Sequence, residues 1–356
     1  MRVFHVAPEV FAELPALPAA LPAAGFIWIG CARDKFETQL PGIQAALTSW
    51  DCGNIVDLHA ADLLNAQLRS QFDTTSWYDL LVFRRLLAPP TTEPEDALPT
   101  AVATSPVGFA IFDRVLITVH PPDCAVREYF AQRLAMHAQG PHDARGGSRL
   151  PTSPAELMLR MVNFMVDSYL ELRRSLTRQF GHLQAQLLDP KSPFNRWQRL
   201  LEARNALHLL EDTCEDQRSA VQEWLDALDE WPDEESTAAR RERELLRVRS
   251  RDVQEHIERV LGHVRRLEQS AETAVQIHFS ALGHRTNEIM RTLTVLTAIF
   301  LPLNLITGFF GMNFDALPLI HSATGIWVAM TIMGVVATGL VTFFWRRRYL
   351  GSRHRP

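Results

Sequence analysis

Two long uncharged runs stand in the last fifth of the chain. Between Arg291 and Asp315 no side chain is charged, and TLTVLTAIFLPLNLITGFF within that run is long enough to cross about 30 Å of hydrocarbon at about 1.5 Å per helical residue. A second uncharged run, GIWVAMTIMGVVATGLVTFFW, occupies residues 325–345 and leads directly into Arg346, Arg347 and Arg348. The pattern predicts two transmembrane helices, residues 291–310 and 325–345, joined by an external loop, residues 311–324. That loop has no lysine or arginine, whereas the tail, residues 346–356, is basic, so both termini are expected in the cytoplasm. Trp327 at one end of the second span, and Trp345 with Tyr349 at the other, fall where headgroups favour amphipathic rings. The alternative is a buried helical hairpin in a large soluble protein.

The first span is not evenly apolar. Asn287, Thr294, Thr297, Asn304 and Gly308 recur at steps near three and four, with Leu301 among them, and so share one side of a helix. An amide or hydroxyl without a partner in hydrocarbon costs several kcal/mol, so this stripe should face other helices or water. Polar contacts in a closed bundle and the wall of a pore fit it equally well. Pro302 removes one backbone hydrogen bond inside the span and can bend it.

Upstream, Val253, Ile257, Val260, Val264, Leu267, Ala271, Ala274, His278 and Ala281 alternate steps of four and three, a coiled-coil-like seam. No proline falls between Glu234 and Leu301, which predicts one helix of about 70 residues, roughly 100 Å long, running into the membrane. The small residues Ala271, Ala274 and Ala281 would let neighbouring helices approach closely; an intramolecular hairpin is the other reading of the seam. Before it, residues 211–235 form an acidic block with Arg218 as its one basic residue, and Pro232 marks a turn between helices. Such a block is either a solvated helix face or a sink that draws cations.

The N-terminal part is mixed. FIWIG (residues 26–30), NIVDLH (54–59), YDLLVFRRLL (78–87) and VGFAIFDRVLITVH (107–120) are expected strands, with helices between them. An α/β domain over residues 1–155 follows, then cytoplasmic helices over residues 156–290. Residues 89–106, rich in proline and threonine, should be a mobile loop between paired strands, and residues 140–154 a flexible boundary.

Composition narrows the function. Four cysteines lie far apart and form no CxxC pair, which suggests neither a zinc knuckle nor a disulfide framework and fits a reducing compartment. The first residues do not resemble a secretory signal, so the N-terminus is expected to stay in the cytoplasm. A net charge of -5 with interleaved arginines argues against nucleic acid. Among thirteen histidines no HxxxH or HExxH pair stands on a predicted helix, and no GxSxG or phosphate loop occurs. Neither an enzyme nor a cofactor is expected. His321 in the external loop could bind a softer metal but is more simply incidental.

NEIMRTLTVLTAIFLPLNLITGFFGMNFDALP, residues 287–318, closely resembles the signature of the CorA magnesium channel family, the two-transmembrane GxN transporters, whose mark is a Gly-Met-Asn tripeptide closing the first span. RDVQEHIERV (residues 251–260) is similar to the family's stalk helix, and GFAIFDRVLITVH (108–120) to its cytoplasmic strand pair. Phe310, Asn304 and Leu319 depart from the commonest pattern of tyrosine, threonine and an acid at those places. The resemblance implies an α+β membrane protein of the inner membrane: a cytoplasmic α/β domain, a long helical stalk and two C-terminal transmembrane helices, assembled as a homopentameric funnel. It implies a pore lined by Asn287, Met290, Leu293, Thr294, Thr297, Leu301, Asn304 and Gly308 of the first span, with the second span outside.

Gly311, Met312 and Asn313 would form the selecting loop. Mg²⁺ gives up water reluctantly, so a ring of amide and carbonyl oxygens that hydrogen-bonds its hydration shell can select the hydrated ion, and Gly311 would permit a tight turn. Asp315 would concentrate cations at the pore entrance, although a loop acid is often merely solvated. Asp252 matches a position that helps to hold a regulatory divalent ion between subunits, with Asp73, Asp79 or Asp96 as candidate partners. Gated Mg²⁺ uptake is the function implied, with Co²⁺ or Ni²⁺ as secondary ions and Mg²⁺ also as regulator. The partners are further copies of the chain, divalent cations and the lipid bilayer. ZntB-like Zn²⁺ transport and a non-conducting membrane-anchored coiled-coil scaffold or sensor are the alternatives.

Overall fold

Apolar residues in short β-branched runs build a seven-stranded sheet: β1 (Arg2–Ala7), β2 (Val10–Leu14), β3 (Phe26–Ala32), β4 (Gln71–Thr74), β5 (Asp79–Leu86), β6 (Thr104–Ile111) and β7 (Val115–His120), in the order β2-β1-β3-β7-β6-β5-β4. The computed structural model describes residues 1–87, 103–122, 124–139, 149–188, 196–231, 236–312 and 323–347, in two units, Met1–Thr273 and Ala274–Pro356. Only β3 and β7 pair in parallel; the other neighbours are antiparallel. These two central strands are buried almost throughout because helices cover both faces. Ile27, Ile29 and Cys31 share a core with Ile117, Val119 and the Phe36, Ile43 and Leu47 side chains of α1 (Arg33–Ser49). Toward α4 (Pro154–Leu188), the buried Trp28 indole N–H donates to Thr118 Oγ1 at 2.9 Å.

Residues 54–59 are not a strand. Val56 caps α2 (Asp57–Leu64), whose first turn holds Asp57, favourable at the positive end of a helix dipole. His59, Ala60 and Leu63 fall at helical spacing and bury one side, so apolar period 3.6 overrides the short β-like run. The remaining expected strands correspond to β3, β5 and the β6–β7 hairpin. Of the proline-rich stretch, residues 88–102 lie outside the described residues, while Thr104–Pro106 already belong to β6, paired with Leu86 to Arg84 of β5.

Helices α3 (Ala125–Gln139), α4 and α5 (Arg196–Glu230) precede α6 (Thr237–Phe310), and α7 (Ala323–Arg346) closes the described chain. Arg84 O accepts from both Tyr169 Oη and Gln217 Nε2 at 2.8 Å, which ties α4 and α5 to β5. Trp224 of α5 donates to Ser250 Oγ of α6 at 2.9 Å, and Thr177 of α4 meets His263 Nε2 at 2.9 Å. The seam residues Val253, Ile257, Val260, Val264, Leu267 and Ala271 are buried within the single chain. This part of the seam is therefore intramolecular packing on α4 and α5, and the close approach assigned to Ala271 is made to the chain's own helices.

Candidate functional site

The two apolar helices differ from every other element in where their apolar atoms lie. In the best 18-residue window of each, only 6% of residues are buried, against the buried hairpin that a soluble protein would show. Leu293, Leu296, Phe300, Leu301 and Leu305 are all more than half exposed on α6, as are Ile326, Trp327, Val335 and Trp345 on α7. Helical hydrogen bonding satisfies the backbone, and the side chains await a surrounding that is not water.

On α6 the exposure has a direction. At about 100° per residue, Asn287, Met290, Leu293, Thr294, Thr297, Leu301, Asn304 and Gly308 fall within an arc of about 120°, and all eight are exposed. The covered positions, Val295 at 2% exposure and the half-buried Ala298, Ile299, Pro302, Leu303, Ile306 and Phe310, occupy the opposite side. α6 continues through Pro302 without a break in its assignment.

The hydroxyls on this face have partners within the helix. Thr294 donates to Met290 O at 2.7 Å and Thr297 to Leu293 O at 2.8 Å; beside the face, Thr307 donates to Asn304 O at 3.0 Å. A threonine can return its proton to the preceding turn, so the demand for partners outside the helix falls on the amides of the stripe. The amides of Asn287 and Asn304 make no such bond among the described residues.

At the end of α6, Gly311 N donates to Thr307 O at 2.9 Å and Met312 N to Phe309 O at 3.4 Å. Gly311 does not adopt a positive φ; a Cβ there would approach Thr307 O to 3.0 Å, so close backbone contact, not a left-handed turn, restricts this position. Asn313, Asp315, Leu319 and His321 lie outside the described residues.

Asp252 is exposed on α6, 3.7 Å from His256 Nε2, while His256 Nδ1 lies 3.9 Å from Asp167 of α4. Of its candidate partners, Asp73 Oδ2 is 2.9 Å from His59 Nε2, and Asp79 accepts from Thr74 Oγ1 at 2.7 Å. Burial pushes the Asp79 carboxyl up, opposed by that hydroxyl and reinforced by Asp113. Asp96 lies outside the described residues.

The acidic block is partly neutralised by α6: Arg265 pairs with Glu211 at 2.6 Å and also with Glu215, and Arg247 pairs with Asp229 at 2.6 Å. Beside these pairs, the ligand atoms of His208, Glu211 and Glu268 all lie within 4.8 Å of one another. A search for histidine pairs misses this group, because its third member stands on another helix.

A family model described as CorA-like Mg²⁺ transporter protein matches residues 51–348. The complete structure of the CorA magnesium transporter from Methanocaldococcus jannaschii superposes with a TM-score of 0.74 at 19% identity, covering 97% of this chain and 98% of that one. The full-length CmaX protein superposes with a TM-score of 0.57 at 18% identity, covering 98% and 97%. In sequence, the cobalt/magnesium transport protein CorA of Thermotoga maritima is 32% identical over 100 residues, 28% of either chain. The chain thus matches less than a third of the length of that curated relative.

Proposed function

The chain belongs to the CorA-like Mg²⁺ transporter family, and from that footing we propose that it is a pentameric inner-membrane channel that admits hydrated Mg²⁺, with Co²⁺ and Ni²⁺ as secondary ions. The observation that carries this reading is one arc of α6, from Asn287 to Gly308, whose eight residues are all exposed and which joins two amides and two threonines to small or flexible apolar residues. Placed around a common axis, five such faces would enclose a water-filled path, while the covered side of α6 stays away from it. A scaffold needs no such face.

Gly311, Met312 and Asn313 then stand at the external end of α6, where amide and carbonyl oxygens can hydrogen-bond the water around Mg²⁺ without stripping it. Asp315 supplies negative charge at the entrance. The membrane potential supplies about 2.3 kcal/mol per charge per 100 mV, enough to drive entry without ATP. Asp252 contributes to the regulatory ion between subunits: when that ion leaves, the carboxylates it bridged repel, and the closed state loses stability. Both termini face the cytoplasm, by the basic tail.

Proteoliposomes loaded with a magnesium-sensitive dye test this reading. Mg²⁺ entry should depend on the protein and should fall at least about tenfold with Asn313→Ala, since the selecting ring loses five amides at once. Equal entry with and without protein overturns the channel; full flux in the variant overturns only the role of Asn313. A parallel arm with Zn²⁺ and an imposed proton gradient reads out ZntB-like transport. Asp252→Lys should leave entry less sensitive to internal Mg²⁺.

A further inference from the structure

We propose that His208, Glu211 and Glu268 form a site for a transition-metal dication of the Zn²⁺ or Co²⁺ class, bridging α5 and α6 far in sequence from the selecting loop. His208 and Glu211 stand three apart on α5 and so share one face. The two helices run antiparallel, as Gln222 to Gln254 at 2.7 Å and Asp229 to Arg247 at 2.6 Å establish, and this register sets Glu268 opposite His208. His208 Nε2 lies 2.7 Å from Glu268 Oε1, and all three ligand atoms fall within 4.8 Å. Ligands about 2.0–2.2 Å from one tetrahedral ion are about 3.3–3.6 Å apart, so side-chain rotations of about an ångström complete the site.

Charge points the same way. The ion-pair network that includes the site holds four carboxylates, Glu211, Glu215, Glu268 and Glu272, against two guanidiniums, Arg204 and Arg265. With a neutral imidazole, two negative charges are left over, which is what a dication neutralises. Neither arginine is stranded by the ion. Arg265 also reaches Glu215, so it can release Glu211; Arg204 holds Glu272 at 3.1 Å, so it can release Glu268.

The donor set selects the metal. Mg²⁺ prefers oxygen and retains its water, whereas one imidazole with two carboxylates suits Zn²⁺, Co²⁺ or Ni²⁺. The His208 side chain is 50% exposed and Glu268 is 16% exposed, so an ion can enter from solvent and find a half-enclosed seat. Once there it pins α5 to α6, the helix whose later turns carry the proposed conducting face. The site would report the level of a softer metal to a protein that handles a hard one.

The test uses the full-length protein in detergent, stripped with chelator and then held in excess Mg²⁺ to fill oxygen-rich sites. Zn²⁺ is titrated calorimetrically, and Co²⁺ binding is followed by its visible d–d absorption. The wild-type chain should bind one more Zn²⁺ per subunit than the double variant His208→Gln, Glu268→Gln. Each single variant should bind at least about tenfold more weakly, as expected for loss of one of three ligands. His137→Gln, a histidine remote from the site, should leave the titration unchanged. Circular dichroism checks that each variant is folded, and Glu211→Gln serves if another is not. Equal stoichiometry and affinity in wild type and double variant overturn the site, as does the absence of any imidazole-dependent change in the Co²⁺ spectrum. Neither readout involves flux, so a failure of the proposed channel would be seen separately.

Discussion

The sheet of the first unit and the helices of the second invert one another. In β3 and β7 the apolar side chains other than Ala32 are buried, and the polar groups among them are answered: Trp28 by Thr118, and His120 by Thr118 and Cys124. In α6 beyond Met290 and in α7, many large apolar residues are exposed, and threonine hydroxyls turn back on their own backbone. The first region is specified by contacts that the chain makes with itself. The second is specified by surroundings the chain does not contain, lipid on one side and, in the proposed assembly, further copies on the other.

The sharpest way to break that contrast is to remove a large side chain from each region. Phe109→Ala, at a position with no exposure, should cost about 3–5 kcal/mol in denaturant unfolding of the full-length protein in mild detergent. Phe300→Ala, at 54% exposure, should leave that unfolding transition in place. Equal losses would show that the second helix face is covered within the chain after all.

Acid separates the regions next. Burial pushes the His120 pKa down to about 3, with Arg127, Arg85 and Arg33 adding to the shift. The unfolded chain binds a proton near pH 6.5 that the folded one refuses, so stability is complete above that pH. It should fall by up to about 1.4 kcal/mol per pH unit as pH drops from about 6 toward 3. His120→Gln should flatten this slope in urea titrations at successive pH values, and an unchanged slope would assign the loss to other groups.

Thiol labelling then probes the two sides of α6. In a Cys52→Ser background, which removes the one half-buried native cysteine, Leu301→Cys should react with a water-soluble maleimide in reconstituted vesicles at least about tenfold faster than Ile299→Cys. Equal rates would mean that the eight-residue face does not meet water. The smallest effect belongs to the surface: Arg247→Ala, which removes the exposed ion pair with Asp229, should cost no more than about 1 kcal/mol.

How far the chain could be read follows from the same inversion. Where environment, not tertiary contact, decides an element, composition suffices: the uncharged runs located the C-terminal end of α6 and both ends of α7 to within two residues. Where long-range pairing decides, it does not. Strands β1, β2 and β4 were not anticipated, because RVFHVA and VFAEL are short and mixed, and β1 gains its place from pairing with β3. NIVDLH looks extended locally but is helical once Ala60 and Leu63 find the core. The seam of α6 was visible as periodicity, yet periodicity cannot say whose helix fills it. Asn287, Thr294, Thr297, Leu301, Asn304 and Gly308 were legible as one side because helical angle is local; the meeting of His208 with Glu268 depends on a hairpin register that no window of sequence contains.

The threonines of that face carry one more consequence. Each donates its only hydroxyl proton inward, to Met290 O or Leu293 O, and what remains outward is a pair of lone pairs. At these two positions the surface presented is therefore not neutral in sign but the negative end of a fixed dipole. Lining the proposed pore, such a wall would favour a hydrated cation, whose water protons point outward, over an anion, before any carboxylate is involved.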